Sequence, residues 1–278
     1  MKQASRFLAL VFLFSVFCAV PLSGGDKTIT IGLPPDGLSQ AERQPLKDYL
    51  AAKLGRDVKL TTPNSYNDTM DGLSSGAIDF ACLGGVTYVR AHAKLGVVPL
   101  VQRSSDVQFH SLIIAGAGTS IRSLSDLKGR KFAYGDVNST SAHVIPYLEL
   151  KRAGLNPATD FDFRYSGGHP MTIKLVETGV VDAGAVDESI FHSMVAEGKA
   201  DGKKFRVIHT SKPFVDWVYV ARKDIAETDR QKFAATLLGL REGKDAKVLK
   251  ILRATKFIKA NDEEYGAIRE AARELKMY

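Results

Sequence analysis

Three consecutive hydroxyl residues, Ser139, Thr140 and Ser141, stand in the segment YGDVNSTSAH, residues 134 to 143. An apolar strand pattern ends at Gly135 and a helical pattern begins at about Ser141. The first turn of a helix presents unpaired backbone N–H groups and a partial positive charge. Hydroxyl donors at that position would complete a cradle for a small oxyanion such as phosphate, phosphonate or sulfonate. A plain helix N-cap accounts for one of these residues, but not for three beside Asn138.

Three further stretches occupy comparable places. Ser166, Gly167, Gly168 and His169 follow a strand pattern and precede a helix. Paired glycines allow close backbone approach, and a histidine at a strand's C-terminal end can donate to an oxyanion. The alternative is a surface turn with an incidental histidine. Asp187 and Glu188 stand at another strand end, and Asp216 follows Pro213 just before Trp217. Carboxylates there can accept from an ammonium or a protonated oxygen, or simply cap a helix or turn. Tyr66 and Tyr88 lie near the ends of two earlier strands, where either core packing or ligand contact would suit them.

The chain shows no Walker loop, Rossmann glycine fingerprint, HExxH, CxxC or GxSxG motif, and its six histidines are scattered. Anion sites without catalytic machinery point to a binder rather than an enzyme, with no metal and no cofactor. Cys82 lies in the apolar run IDFACLGG and reads as a buried small hydrophobe.

These sites must be held by the elements around them. From Lys27 onward, short apolar runs alternate with helical stripes. Ile29–Leu33, Val58–Thr61 and Ile78–Leu83 read as strands. Leu46, Tyr49, Leu50 and Leu54 form one helical face behind a Ser39/Glu42 capping box, and Tyr66, Met70 and Leu73 form another. The rhythm repeats with strands at Lys131–Tyr134, Phe161–Tyr165 and Val181–Val186, and helices at Ser141–Ala153 and Met171–Thr178. This is an α/β pattern with a largely parallel sheet. Residues 76–81 (GAIDFA) and 179–184 (GVVDAG) echo each other at the same place in the rhythm, which implies two lobes of one build. Two further strand-like segments, Ser111–Ala115 and Val218–Arg222, flank the second half. The expected division is therefore residues 26–112 and 217–278 in lobe 1 and 113–216 in lobe 2, with two crossings.

Composition agrees with a globular chain. Of 278 residues, 45% are hydrophobic and 25% charged; 38 Lys and Arg face 31 Asp and Glu without any long run of one sign. That diffuse charge offers no nucleic-acid or membrane patch. Lys2 and Arg6 precede the uncharged stretch from Phe7 to Val20, with Pro21 and then Ser23, Gly24 and Gly25 behind it. Residues 1–25 thus read as a signal peptide cleaved near Gly25. The residues before Cys18 do not form a lipobox. Export leaving Cys82 alone suits a bacterial periplasm, where a large core needs no bridge.

A resemblance rests on specific residues. These are Ser65-Tyr66, Met70 to Leu73, Gly76 to Phe80, Leu83-Gly84, Thr87 to Val89, Ser123 to Gly129, Phe132 to Tyr134, Asn138 to Ser141, Ser166 to His169, Val181 to Ala183 and Arg222 to Asp224. In them the chain resembles the periplasmic substrate-binding proteins of phosphate/phosphite/phosphonate ABC transporters. The resemblance implies an α/β, two-lobed periplasmic-binding-protein fold with two interlobe crossovers and a ligand cleft. It implies that Ser139, Thr140, Ser141, Tyr88 and His169 hold the phosphorus oxyanion and that Asp216 faces it. Glu188 falls where some members place an acid for the amino group of aminoalkyl phosphonates. The expected ligand is a phosphonate, with phosphite or phosphate as the alternative. The expected partner is a membrane permease, or otherwise a receptor to which a sensor component presents ligand, and a monomer is expected. Gly85, Val86 and Thr87 depart from the family's usual run.

Overall fold

The computed structural model describes residues 28–34 and 38–278; the expected signal peptide lies outside them. The first strand β1 (Ile29–Gly32) leads to α1 (Gln40–Leu54), β2 (Val58–Thr61), α2 (Tyr66–Ser75), β3 (Phe80–Leu83), α3 (Gly85–Leu95) and β4 (Val98–Arg103). The chain then enters a second sheet. There it forms β5 (Ser111–Gly116), β6 (Lys131–Tyr134), a π-helical turn (Thr140–Val144) running into α4 (Ile145–Arg152), β7 (Asp162–Tyr165), α5 (His169–Glu177), β8 (Ala183–Asp187), α6 (Glu188–Ala196) and β9 (Phe205–Thr210). It returns with β10 (Val218–Ala221), α7 (Glu227–Leu238), α8 (Ala246–Ile251), β11 (Phe257–Lys259) and α9 (Gly266–Glu274). Among the described residues no helix is long and apolar enough to cross a membrane.

The local reasons for these elements are visible. Leu46, Leu50 and Leu54 put one buried stripe on α1. The Glu42 carboxylate accepts from the Ser39 N–H and hydroxyl at 2.8 and 2.6 Å, and the helix runs on through Pro45. Gly55, Gly76 and Gly96 end their helices in the left-handed conformation, which costs other residues a steric penalty.

The sheets are ordered β11-β4-β10-β3-β1-β2 and β7-β6-β8-β5-β9. Apart from the added β11, they share one plan. Each has a parallel trio, β2-β1-β3 or β7-β6-β8, beside a strand delivered by a crossing. That strand, β10 or β5, runs antiparallel to both of its neighbours. The expectation of largely parallel sheets is corrected accordingly. The β–helix–β rhythm does orient β3 and β4, and β8 and β9, alike. The strand arriving from the other lobe then inserts between the members of each pair, heading the opposite way.

The echoed segments carry a shared device. Asp79 accepts from the Thr30 N–H at 2.9 Å, and Asp182 from the Lys131 N–H at 2.8 Å. In each sheet the aspartate thus ties the third strand to the start of the first.

Apolar residues fill both faces of each sheet. In the first, Phe80 stacks on Phe233 at 4.3 Å on one side, while Tyr88, Tyr265 and Ile268 pack on the other. Separate clusters cover the two faces of the second sheet. The crossing segments pair with each other: Phe109 and Phe214 exchange backbone hydrogen bonds at 2.9 and 3.0 Å, and the Asp216 N–H donates to the Asp106 carbonyl at 3.0 Å. A short antiparallel ribbon therefore joins the sheets, with Asp216 on it.

Candidate functional site

Two helical N-termini meet across the cleft. One belongs to α3, which follows β3 through Gly84; the other is the π-helical turn after β6. The Val86 N–H donates to the Thr140 hydroxyl at 2.9 Å, and the Gly85 N–H donates to the Asp216 carboxyl at 2.6 Å. A side chain would be crowded at Gly85 but would make only ordinary contact at Gly84. A Cβ on Gly84 would stand 3.5 Å from both the Asp216 and Thr140 oxygens, and one on Gly85 would stand 3.3 Å from the Val215 carbonyl.

The hydroxyl run divides its work. Ser139 caps the turn by accepting from the Ala142 N–H at 3.1 Å. Thr140 reaches the opposite lobe, as above. The Ser141 carbonyl accepts from the Ser111 hydroxyl. All three are buried, so they belong to the cleft and not to an exposed cap.

His169 is buried at the first turn of α5, and its Nδ1 accepts from the Asp187 N–H at 3.0 Å. In the neutral ring that assignment leaves the hydrogen on Nε2, as a donor. Asp187 caps α6 through Ile190 N–H at 2.8 Å and takes the Ser189 hydroxyl at 2.7 Å. Its other oxygen accepts from the Trp217 indole of the first sheet at 3.2 Å. His169 and Asp216 are thereby linked through Asp187 and Trp217.

Asp216 is almost fully buried. Burial pushes its carboxyl up to about 8; the Gly85 N–H and the Thr140 hydroxyl oppose this, and the charges of Asp187 and Asp106 add to it. Beneath it, Arg103 grips Asp106 with bonds of 2.7 and 2.9 Å. Burial alone would pull the Arg103 guanidinium down, but Asp106 reverses that and holds it charged.

A polar clasp lies beside the cradle. Asn138 donates to Asn67 at 3.2 Å and accepts from Arg90. Its carbonyl takes the Thr87 hydroxyl at 3.4 Å. Asn67, Thr87 and Arg90 are on the first lobe and Asn138 is on the second, so the clasp holds the lobes together.

Two expected residues are packed within the first lobe, and a third begins α6. Tyr88 is packed inside the first lobe, edge-on to Tyr265 at 4.6 Å, and its hydroxyl donates to Asp262 at 2.5 Å. The turn of α3 that carries it faces α9, so its oxygen is not offered to the cradle. Tyr66 is also core, its ring 6.5 Å from that of Trp217. Glu188 begins α6 half-buried, and its backbone N–H donates to the His110 carbonyl at 3.4 Å. Cys82 is buried, and burial pushes its thiol up to about 12, which suits a hydrophobe and not a nucleophile. Among the described residues no group of three or more His, Cys, Asp or Glu could hold a metal.

Sequence reasoning missed the α3 N-terminus and the Asn67–Arg90–Asn138 clasp. The first had a signal: Gly84 and Gly85 follow a strand just as Gly167 and Gly168 do. The second had none, because its partners are far apart in the chain.

Comparison with known proteins gives the following. The family described as ABC transporter, phosphonate, periplasmic substrate-binding protein matches residues 32–265. A probable ABC transporter phosphite binding protein of Prochlorococcus marinus, PhnD1, is 26% identical over 95% of this chain and 94% of its own. A phosphate-import protein of Mycolicibacterium smegmatis is 25% identical over 71% of this chain and 67% of its own. The solved structure of PhnD1 in complex with methylphosphonate superposes with a TM-score of 0.85 at 25% identity, covering 91% of this chain and all of the other.

Proposed function

The chain belongs to the periplasmic substrate-binding proteins of phosphonate ABC transporters, and from that premise we propose that it captures a small phosphorus oxyanion, a phosphonate above all, between the two facing helical N-termini. It hands the ligand to a membrane permease in the periplasm and carries out no reaction on it.

One observation carries this reading. The Gly85 and Val86 N–H groups converge on two oxygens, one carboxyl and one hydroxyl, at 2.6 and 2.9 Å. A tetrahedral oxyanion presents the same kind of acceptor, with charge that both helical N-termini favour. Thr140 and the Nε2–H of His169 add donors from the second lobe. Asp216 supplies what pure donors cannot. A phosphonate or phosphite has a titratable oxygen, and one proton shared between that oxygen and the Asp216 carboxyl makes a charge-assisted bond. Sulfate brings no such proton at neutral pH. The ribbon at Phe109 and Phe214 is the hinge on which the lobes would part to admit ligand.

The test is calorimetry of the purified mature protein with methylphosphonate, phosphite, phosphate and sulfate. Binding of the phosphorus anions at least a hundredfold tighter than sulfate is expected. Equal affinity for sulfate would refute the role given to Asp216, and no binding of any of them would refute the proposal.

A further inference from the structure

His143 has no part in the site as described so far. It is buried in the π-helical turn Thr140–Val144. Its Nδ1 stands 2.7 Å from the Val137 carbonyl, and its Nε2 stands 3.0 Å from the Tyr165 hydroxyl. A carbonyl only accepts, so Nδ1 carries the hydrogen and the bare Nε2 accepts from Tyr165. Burial pulls the imidazole below its ordinary range, against the bond to Val137, and so keeps the ring neutral in this arrangement. Three aromatic rings meet it edge-on: Tyr134 of β6 at 5.0 Å, Tyr147 of α4 at 5.9 Å and Tyr165 at the end of β7 at 5.0 Å.

Both bonds end beside the cradle. The bond to Val137 closes a loop around residues 138–142, which carry Asn138 and the three hydroxyls. Backbone bonds secure the base of that loop: the Gly135 N–H donates to the Ala142 carbonyl at 3.0 Å, and the Val144 N–H to the Ser139 carbonyl at 3.1 Å. The second is the wide bond of a π turn, a rare geometry. Val137 is 43% exposed, so packing does little to hold its limb of the loop. Tyr165 immediately precedes Ser166, Gly167, Gly168 and His169. One imidazole therefore ties together the two site stretches of the second lobe. Resting on the reading above, we infer that His143 is a positioning residue of the anion site, which sets the hydroxyl turn against the Gly-Gly-His run. Both ring nitrogens are engaged, so it acts through Val137 and Tyr165 and not on the ligand. The Thr140 hydroxyl meets the Val86 N–H at 2.9 Å, and a displacement of the turn by more than about 0.5 Å degrades such a site.

Packing and positioning predict opposite orders of variants. Packing alone favours Phe, which keeps a ring among Tyr134, Tyr147 and Tyr165 and loses both nitrogens. Positioning favours Asn, whose Nδ2 has the place of Nδ1 on the side chain and can still donate to the Val137 carbonyl. The experiment measures methylphosphonate affinity by calorimetry and the ligand-free melting temperature for wild type, His143→Phe, His143→Asn and Tyr165→Phe. His143→Phe is expected to bind about tenfold more weakly than wild type while melting within about 4 °C of it. His143→Asn is expected to melt lower than His143→Phe and yet bind about threefold tighter than it. Tyr165→Phe, at a half-exposed position, loses the Nε2 bond alone and should bind about threefold more weakly than wild type; it keeps the test open if a His143 variant does not fold. Wild-type affinity in His143→Phe, or affinity in His143→Asn no tighter than in His143→Phe, would overturn the inference. Unchanged affinity in Tyr165→Phe would overturn the tie to the Gly-Gly-His run. When wild type binds methylphosphonate, these outcomes bear on His143 alone; if wild type binds none of methylphosphonate, phosphite and phosphate, the site itself falls, and the inference with it.

Discussion

Asp216→Asn tests the shared proton. In wild type the buried carboxyl is pushed up to about 8. Below that pH, Asp216 carries the proton that lets it donate to a phosphonate oxygen. Above it, the complex must take up a proton from solvent, since a bare carboxylate facing a dianion is strongly repelled. The binding-competent fraction falls about tenfold per pH unit above 8, so by pH 9.5 the loss is roughly thirtyfold, or about 2 kcal/mol. The amide of the variant has the same shape, always offers N–H donors, and has no proton to lose. Its carbonyl oxygen still accepts from the Gly85 N–H. The ligand's own titration affects both proteins and cancels in the ratio of their dissociation constants. Calorimetry with methylphosphonate at pH 6.5, 8 and 9.5 should therefore show the wild-type to variant ratio of dissociation constants rising about thirtyfold over the whole range, with about sixteenfold of it between pH 8 and 9.5. A ratio constant within twofold from pH 6.5 to 9.5 would refute the shared proton, and with it the selectivity assigned to this residue.

The same carboxyl makes the ligand-free protein lose stability as pH rises from the ordinary carboxylate range toward about 8, because the folded state binds more protons there than the unfolded state; Asp216→Asn should flatten that part of a urea-denaturation series. Thr140→Val keeps the shape but leaves the Val86 N–H without its hydroxyl partner, so methylphosphonate affinity should fall at least tenfold by calorimetry, with a stability loss of only about 1–2 kcal/mol. Asn138→Ala removes the side-chain contacts to Asn67 and Arg90 and keeps the backbone carbonyl that accepts from Thr87; the ligand-free protein should open, with a larger radius of gyration in small-angle scattering, and an unchanged radius would show that these side-chain contacts do not hold the lobes. Cys82, with its thiol raised to about 12, should react with a thiol reagent at pH 8 at least a hundredfold more slowly in the native protein than in the unfolded one.

The local pattern determined a good deal. Leu46, Leu50 and Leu54 specify the buried stripe of α1 because a helix repeats every 3.6 residues, and the αL glycines end helices where only glycine does so without steric cost. The repeated GxxD segments marked two lobes of one build, and each aspartate binds the first strand of its own sheet. The hydroxyl run at 139–141 and the Gly-Gly-His run could be singled out because a strand-to-helix junction is where backbone donors are exposed. Tertiary structure alone decided the rest. Sheet direction depended on which strand inserts between β3 and β4, or between β8 and β9, and nothing within those strands encodes the arrival of β10 or β5. The place of Tyr88 near a strand end leaves core packing and ligand contact open, and the resemblance implies the latter; a helix turns each residue about 100° from the last, and this one faces Tyr265 and Asp262. The shift of Asp216 comes from burial among groups 110 and 29 positions away, Asp106 and Asp187, whose proximity is a property of the closed cleft and not of any segment.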